Sequence, residues 1–226
     1  GDEPPPVSLA EAVASVVATA SPTTTATATS AATSEASSTP TAEAASTAGE
    51  SLDGSWTVDA SQSFLGYRIN EELASVGSTT AVGRTSTIEG VLEFDGSAIT
   101  GVSITADLRD LASDDSRRDG QLRRQALQTN TFPEATFVLS EPISIAGDPG
   151  DGGIITATAI GDLTIHGVTN RVEIPIEGQY VDGQVVVVAS TVVLLADYDI
   201  EKPSAVSVLS VSDEATIELQ LVFSKA

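Results

Sequence analysis

His166 is the only histidine in this chain of 226 residues, and it sits in the run GDLTIHGVTNR at Gly161–Arg171. A lone imidazole can serve as a general base or a metal ligand, but each role needs companions. A Ser-His-Asp arrangement would have to use His166, and no nucleophile elbow G-x-S-x-G is present. A metal site with one histidine and no cysteine needs a carboxylate cluster, and no spacing in the chain supplies one. Neither a P-loop nor a G-x-G-x-x-G occurs. Asp197 and Asp199, in LLADYDI, share a face of an extended segment. Paired carboxylates can run glycoside chemistry, but two so close in sequence fit a turn or a solvated rim as well. No catalytic residue, metal or cofactor is therefore assigned. His166 keeps two readings, a polar contact to a ligand or a side chain that ties a turn to a neighbouring strand.

The second chemical feature is a cluster of cations. Five of the ten basic residues are Arg109, Arg117, Arg118, Arg123 and Arg124, in a chain with 32 acids and a net charge of −22. One or two of them, Arg118 and Arg123 foremost, could grip an anionic head group through the guanidinium fork. Alternatively they pair with Asp107, Asp110, Asp114, Asp115 and Asp119 on a solvated surface. The acidic balance argues against nucleic acid, whose phosphates need clustered Lys and Arg, and against adhesion to an anionic membrane.

Cysteine and methionine are both absent. Disulfides, thiolate metal sites and cysteine nucleophiles are thereby excluded. The missing Met implies that the sequence does not begin at a natural start, and a removed signal peptide would explain it. No run approaches the ~20 apolar residues of a membrane-spanning helix.

The elements that must carry these groups fall into two regions. Residues 1–53 are low complexity, built from Ala, Ser, Thr, Pro and Glu without Lys, Arg or aromatics. Such a composition predicts a disordered stalk or linker, glycosylated or bare. Val7–Ala20 has an amphipathic pattern, marginal for a helix in isolation. Residues 54–226 instead consist of short alternating runs punctuated by Gly, Asp, Asn and Ser. FLGYRI puts Leu65, Tyr67 and Ile69 on one face, and TIEGVLEFDGS does the same for Ile88, Leu92 and Phe94. ATIELQLVFS aligns Ile217, Leu219, Leu221 and Phe223. Period-2 patterning over many strands predicts an all-β antiparallel sandwich or barrel. Ser113–Thr131 breaks the pattern and predicts a turn or two of helix around Leu122–Leu127.

Five segments taken in order resemble the YceI-like family. WTVDASQS matches W-x-x-D-x-x-x-S at Trp56, Asp59 and Ser63. LGYRI places Tyr67 where an aromatic is usual, and GRTSTIEGVLEFD ends in the family's Phe94 and Asp95. RRDGQLRRQALQTNTFPEATFV is similar to the R-D-x-H-L…F-x-x-x-x-Y-P-x-x-x-F block at Asp119, Leu122, Phe132, Pro133 and Phe137. GDLTIHGVTNRVEIPI matches G-x-L-T-I-x-G-V-T-x-x-V and is the most specific of the five. The chain departs from the family at Gln121, where His is usual, at Ala126 and Leu127, where paired aromatics are usual, and at Ile88, where another aromatic is usual.

The resemblance implies a lipocalin-like antiparallel β-barrel of about eight strands around a lipid cavity. It also implies non-enzymatic binding, sequestration or transport of an amphiphilic lipid, such as a polyisoprenoid or quinone, outside the cytoplasm (periplasmic, secreted or anchored to the cell surface). Candidate lumen residues are Leu65, Tyr67, Ile69, Leu92, Phe94, Ile104, Leu108, Phe137, Leu163 and Ile165, with Arg118, Arg123 and His166 for a head group. Each lumen candidate could equally be ordinary packing. The rival expectation is a self-filled barrel acting as an interaction module on a flexible stalk. Edge strands at the seam leave a homodimer open.

Overall fold

The computed structural model describes residues 4–20, 51–75, 77–146, 149–203 and 208–226. Among them, twelve strands join in one antiparallel sheet that closes on itself. In chain order they are β1 (Gly54–Val58), β2 (Phe64–Leu73), β3 (Gly77–Thr85), β4 (Ile88–Phe94), β5 (Ala98–Asp107) and β6 (Ala112–Ser113). Then come β7 (Glu134–Leu139), β8 (Ile143–Ser144), β9 (Ile155–Ile165), β10 (Val168–Val181), β11 (Gln184–Leu194) and β12 (Val208–Lys225). Helix α1 is Leu9–Ala20 and α2 is Ser116–Gln121.

β1 and β2 act as one bent stave, and β3 and β4 as another. β1 pairs with β4, and β2 pairs with β3. With β5, β7, β9, β10, β11 and β12 this makes an eight-staved barrel. β12 closes it, because the edge that does not face β11 pairs with β2 and then with β1, where Trp56 stands opposite Lys225. The seam is therefore occupied within the chain and leaves no free edge there for a second copy.

The strands form where period-2 alternation separates a lumen face from an outer face. Two hairpins turn on two residues with positive φ, His166–Gly167 (54° and 76°) and Asp182–Gly183 (50° and 80°). Such turns match the twist of the flanking strands. Gly167 is required a second time, since a Cβ there would lie 2.6 Å from the Phe132 ring. Trp56 and Phe223, both fully buried, fill one end of the barrel with Leu92, Ile104 and Leu221. The Trp56 indole donates to the Leu52 carbonyl at 3.0 Å.

Two elements differ from the sequence expectation. Within the segment read as a stalk, Leu9–Ala20 is a helix seated on the outside of the barrel. Its Leu9, Ala12 and Val16 are buried against Val186, Val188 and Val222. A helix too short to persist alone persists here because an apolar strip awaits it. The preceding arm is held as well: Arg68 donates to the Pro4 carbonyl and Arg84 to that of Pro5, and Arg68 also pairs with buried Glu218 at 2.6 Å. Residues 21–50, the body of the expected stalk, lie outside the described residues.

The second difference is the insertion. Its helix starts at Ser116, six residues before the expected start, because Asp115 caps it by accepting the Arg117 amide at 2.8 Å. Leu122–Ala126 then continues as one π-helical turn.

Candidate functional site

Inside the barrel lie two neighbouring cavities. The larger, about 270 Å³, sits beneath α2, and the smaller, about 90 Å³, lies deeper toward the Trp56 end. Leu65, Ala135, Leu163 and Ile217 line both, so the two compartments adjoin along the barrel. The deeper one is almost wholly apolar, with Thr136, Ser190 and Thr191 its polar residues.

Nine of the ten lumen candidates line these cavities. Tyr67, Ile69, Leu108 and Ile165 face the larger, Leu92, Ile104 and Phe137 the smaller, and Leu65 and Leu163 both. Phe94 lines neither and packs beside the Trp56 cluster. It lies at the end of β4 opposite Gly54, beyond the hollow part of the stave.

Polar side chains gather at one end of the larger cavity: Glu71, Asp115, Arg117, Arg118 and Gln121. Asp115 and Arg117 are exposed, so this end meets water. Arg118 reaches from α2 to β2, where its Nη2 donates to Glu71 Oε1 at 2.6 Å, while its Nη1 donates to Asp114 Oδ1 at 2.6 Å. Burial opposes the Arg118 charge, but the hydrogen bonds to Glu71 and Asp114 outweigh it and hold the guanidinium above the usual arginine range. Burial also pushes the Tyr67 phenol up, against the opposing pull of Arg118, so this cavity residue remains a neutral hydroxyl. Tyr67 fits because Gly83 stands opposite it on β3, where a Cβ would come 2.5 Å from its ring.

The other head-group candidates are placed elsewhere. Arg123 Nη1 donates to the carbonyls of Arg109 and Leu111 at 3.1 and 3.4 Å, bracing the insertion. His166 is buried outside both cavities, its Nδ1 donating to the Tyr198 carbonyl at 3.1 Å and its ring edge-on to Phe132. That bond ties the β9–β10 turn to the 3₁₀ turn Leu195–Tyr198, which also contains Asp197. Arg109 pairs at the surface with Asp107. Among the described residues, no three His, Asp or Glu side chains are grouped to hold a metal ion.

Sequence reasoning overlooked several lining residues. Leu111 lies just before the insertion, and Leu122 and Leu127 come from it, where no periodicity marks an inward face. Ile217 and Leu219 belong to the alternating run of β12, which did carry a readable signal. Glu71 bears no local sign of its role.

The quoted motifs resolve into joints of this barrel. Asp59 Oδ1 accepts the Ser61 amide at 2.9 Å, and Ser63 Oγ donates to the Asp59 carbonyl at 2.7 Å, fixing the corner between β1 and β2. Asp119 is buried and accepts the Ser113 hydroxyl at 2.6 Å. Phe132 of one block packs against His166 and Gly167 of another. The YceI-like domain model matches residues 56–223.

The chain belongs to the YceI-like family.

Two UPF0312 proteins of Vibrio vulnificus, strains YJ016 and CMCP6, are each 31% identical over 112 residues. That match takes in 48% of this chain and 56% of the relative, so the chain spans about half the length of these curated relatives. A polyisoprenoid binding domain from Saccharophagus degradans superposes with a TM-score of 0.58 at 16% identity, over 76% of this chain and 98% of its own. Burkholderia cenocepacia BcnA superposes with a TM-score of 0.57 at 20% identity, over 73% and 98%. The Campylobacter jejuni YCEI protein gives 0.53 at 16% identity, over 64% and 85%. At these identities the likeness is one of fold. Among the described residues of this YceI-like chain, no helix is long and apolar enough to cross a membrane.

Proposed function

We propose that this YceI-like chain binds one amphiphilic lipid, of isoprenoid or quinone type, inside its barrel and carries or sequesters it without chemical change, outside the cytoplasm. The observation that supports this most is the cavity of about 270 Å³, apolar along its walls and polar at one water-facing end. An apolar tail entering such a sleeve gains ~0.8 kcal/mol per buried methylene before ordering costs. The few polar groups at the rim would then orient the head. The likeness to a polyisoprenoid binding domain supports the same ligand class. A binding role without catalysis agrees with the position of His166, whose Nδ1 is committed to a backbone carbonyl outside the cavity.

The test is purification of the full chain without detergent, followed by organic extraction and mass spectrometry. A co-purifying lipid, or uptake of a prenol or quinone from vesicles, is expected. Protein that emerges empty and takes up neither would refute the proposal.

A further inference from the structure

The polar end of the larger cavity carries a second piece of information, resting on the lipid-binding reading above. We infer that this rim selects a lipid with an uncharged, hydrogen-bonding head group, an alcohol or carbonyl, over one with an anionic head such as a diphosphate.

Arg118 is the cation set deepest in the rim, and each of its three nitrogens already donates. Nη2 and Nε donate to Glu71 Oε1 at 2.6 and 3.2 Å, and Nη1 donates to Asp114 Oδ1 at 2.6 Å and Ser113 Oγ at 3.4 Å. An anionic head could take the Nη2 and Nε donors of this guanidinium only by displacing Glu71. Glu71 is buried at 8% exposure, so it would become a desolvated carboxylate without its partner. The incoming charge would stand beside it.

The local balance points the same way. The acids lining the cavity are Glu71 and Asp115, and Asp114 joins them through Arg118. Against these three carboxylates stand two guanidiniums, Arg117 and Arg118. Arg117 is exposed, so water screens what it offers an anion. The chain as a whole carries −22. A neutral head meets none of these obstacles. Gln121 brings an amide that donates and accepts, and Tyr67 brings a phenol, both on the cavity wall.

The experiment compares farnesol and farnesyl diphosphate, which share one tail, by equilibrium dialysis against the full chain at low ionic strength. Farnesol is expected to bind at least about tenfold more tightly. Glu71→Gln removes the competing carboxylate and releases Arg118, so the preference should move toward the diphosphate by about tenfold. Asp114→Asn, at an exposed position, should move it the same way by less and guards against a folding defect in the first variant. Equal or tighter binding of the diphosphate by the natural chain would overturn the inference, as would a ratio that neither variant moves. Failure of both probes, with no lipid co-purifying, would instead overturn the lipid-binding proposal itself.

Discussion

Ser63 and Val222 lie 159 residues apart in the chain, and the Val222 amide donates to the Ser63 hydroxyl oxygen at 3.0 Å. The same hydroxyl donates to the Asp59 carbonyl. One side chain thus fastens the bend of the first stave to the last strand, where the barrel closes.

Ser63→Ala should be costly for so small a change. Ser63 is 3% exposed, and Val222 is fully buried, so removing the hydroxyl orphans a buried backbone N–H. Leaving such a group unsatisfied costs about 1–3 kcal/mol. Urea denaturation followed by circular dichroism should show that loss. An unchanged midpoint would mean that the corner is not held by this bond.

Val16→Asp should detach α1. Val16 is 1% exposed and shares a buried cluster with Val186, Val188 and Val222. An unpaired carboxylate there cannot remain buried, so the helix should leave and uncover an apolar strip. A loss of about 2 kcal/mol or more is expected, together with increased binding of a hydrophobic dye. If neither stability nor dye binding changes, α1 does not cover the barrel in solution.

Leu163→Trp should fill the region where the two compartments adjoin, since this residue lines both. Overpacking costs about 1–3 kcal/mol, which leaves a stable fold with less room. Affinity for a prenol should fall by about tenfold or more. A variant that folds and binds its lipid unimpaired would locate the ligand outside the barrel.

Acid should loosen the first corner. Hydrogen bonds from the Ser61 and Gln62 side chains hold the Asp59 carboxyl below its usual range, against a smaller opposing effect of burial. A carboxyl lowered in the folded state contributes stability that is present above its unfolded pKa. That contribution disappears as pH falls through the folded value. Stability should therefore decline as pH falls below the ordinary aspartate range, and Asp59→Asn should be less stable at neutral pH with a flatter acid limb. Denaturation midpoints across that range test it, and parallel limbs for the two proteins would remove Asp59 as a source of the decline.

What could be read without coordinates was whatever the chain encodes locally. Alternation at every second residue assigns a face to each side chain regardless of which strand lies beside it, so an antiparallel sandwich or barrel and most of its apolar inner face were legible, and the resemblance to the YceI-like family pointed to the barrel. The turn at His166–Gly167 was legible from a glycine set between two alternating runs.

Partnership between distant residues was not. Whether Arg118 would grip a ligand or a carboxylate depended on Glu71 arriving 47 positions away on another strand. Arg123, equally basic in sequence, was committed to backbone carbonyls of Arg109 and Leu111, just before its own insertion. The run Val185–Val188 lacks alternation because both its faces are covered, by the lumen side on one and by α1 on the other. The marginal helix pattern of Val7–Ala20 and the unbroken valine run each made sense only once the two were packed together. Periodicity is a property of one segment, whereas burial and charge pairing belong to contacts that exist only after the sheet has closed.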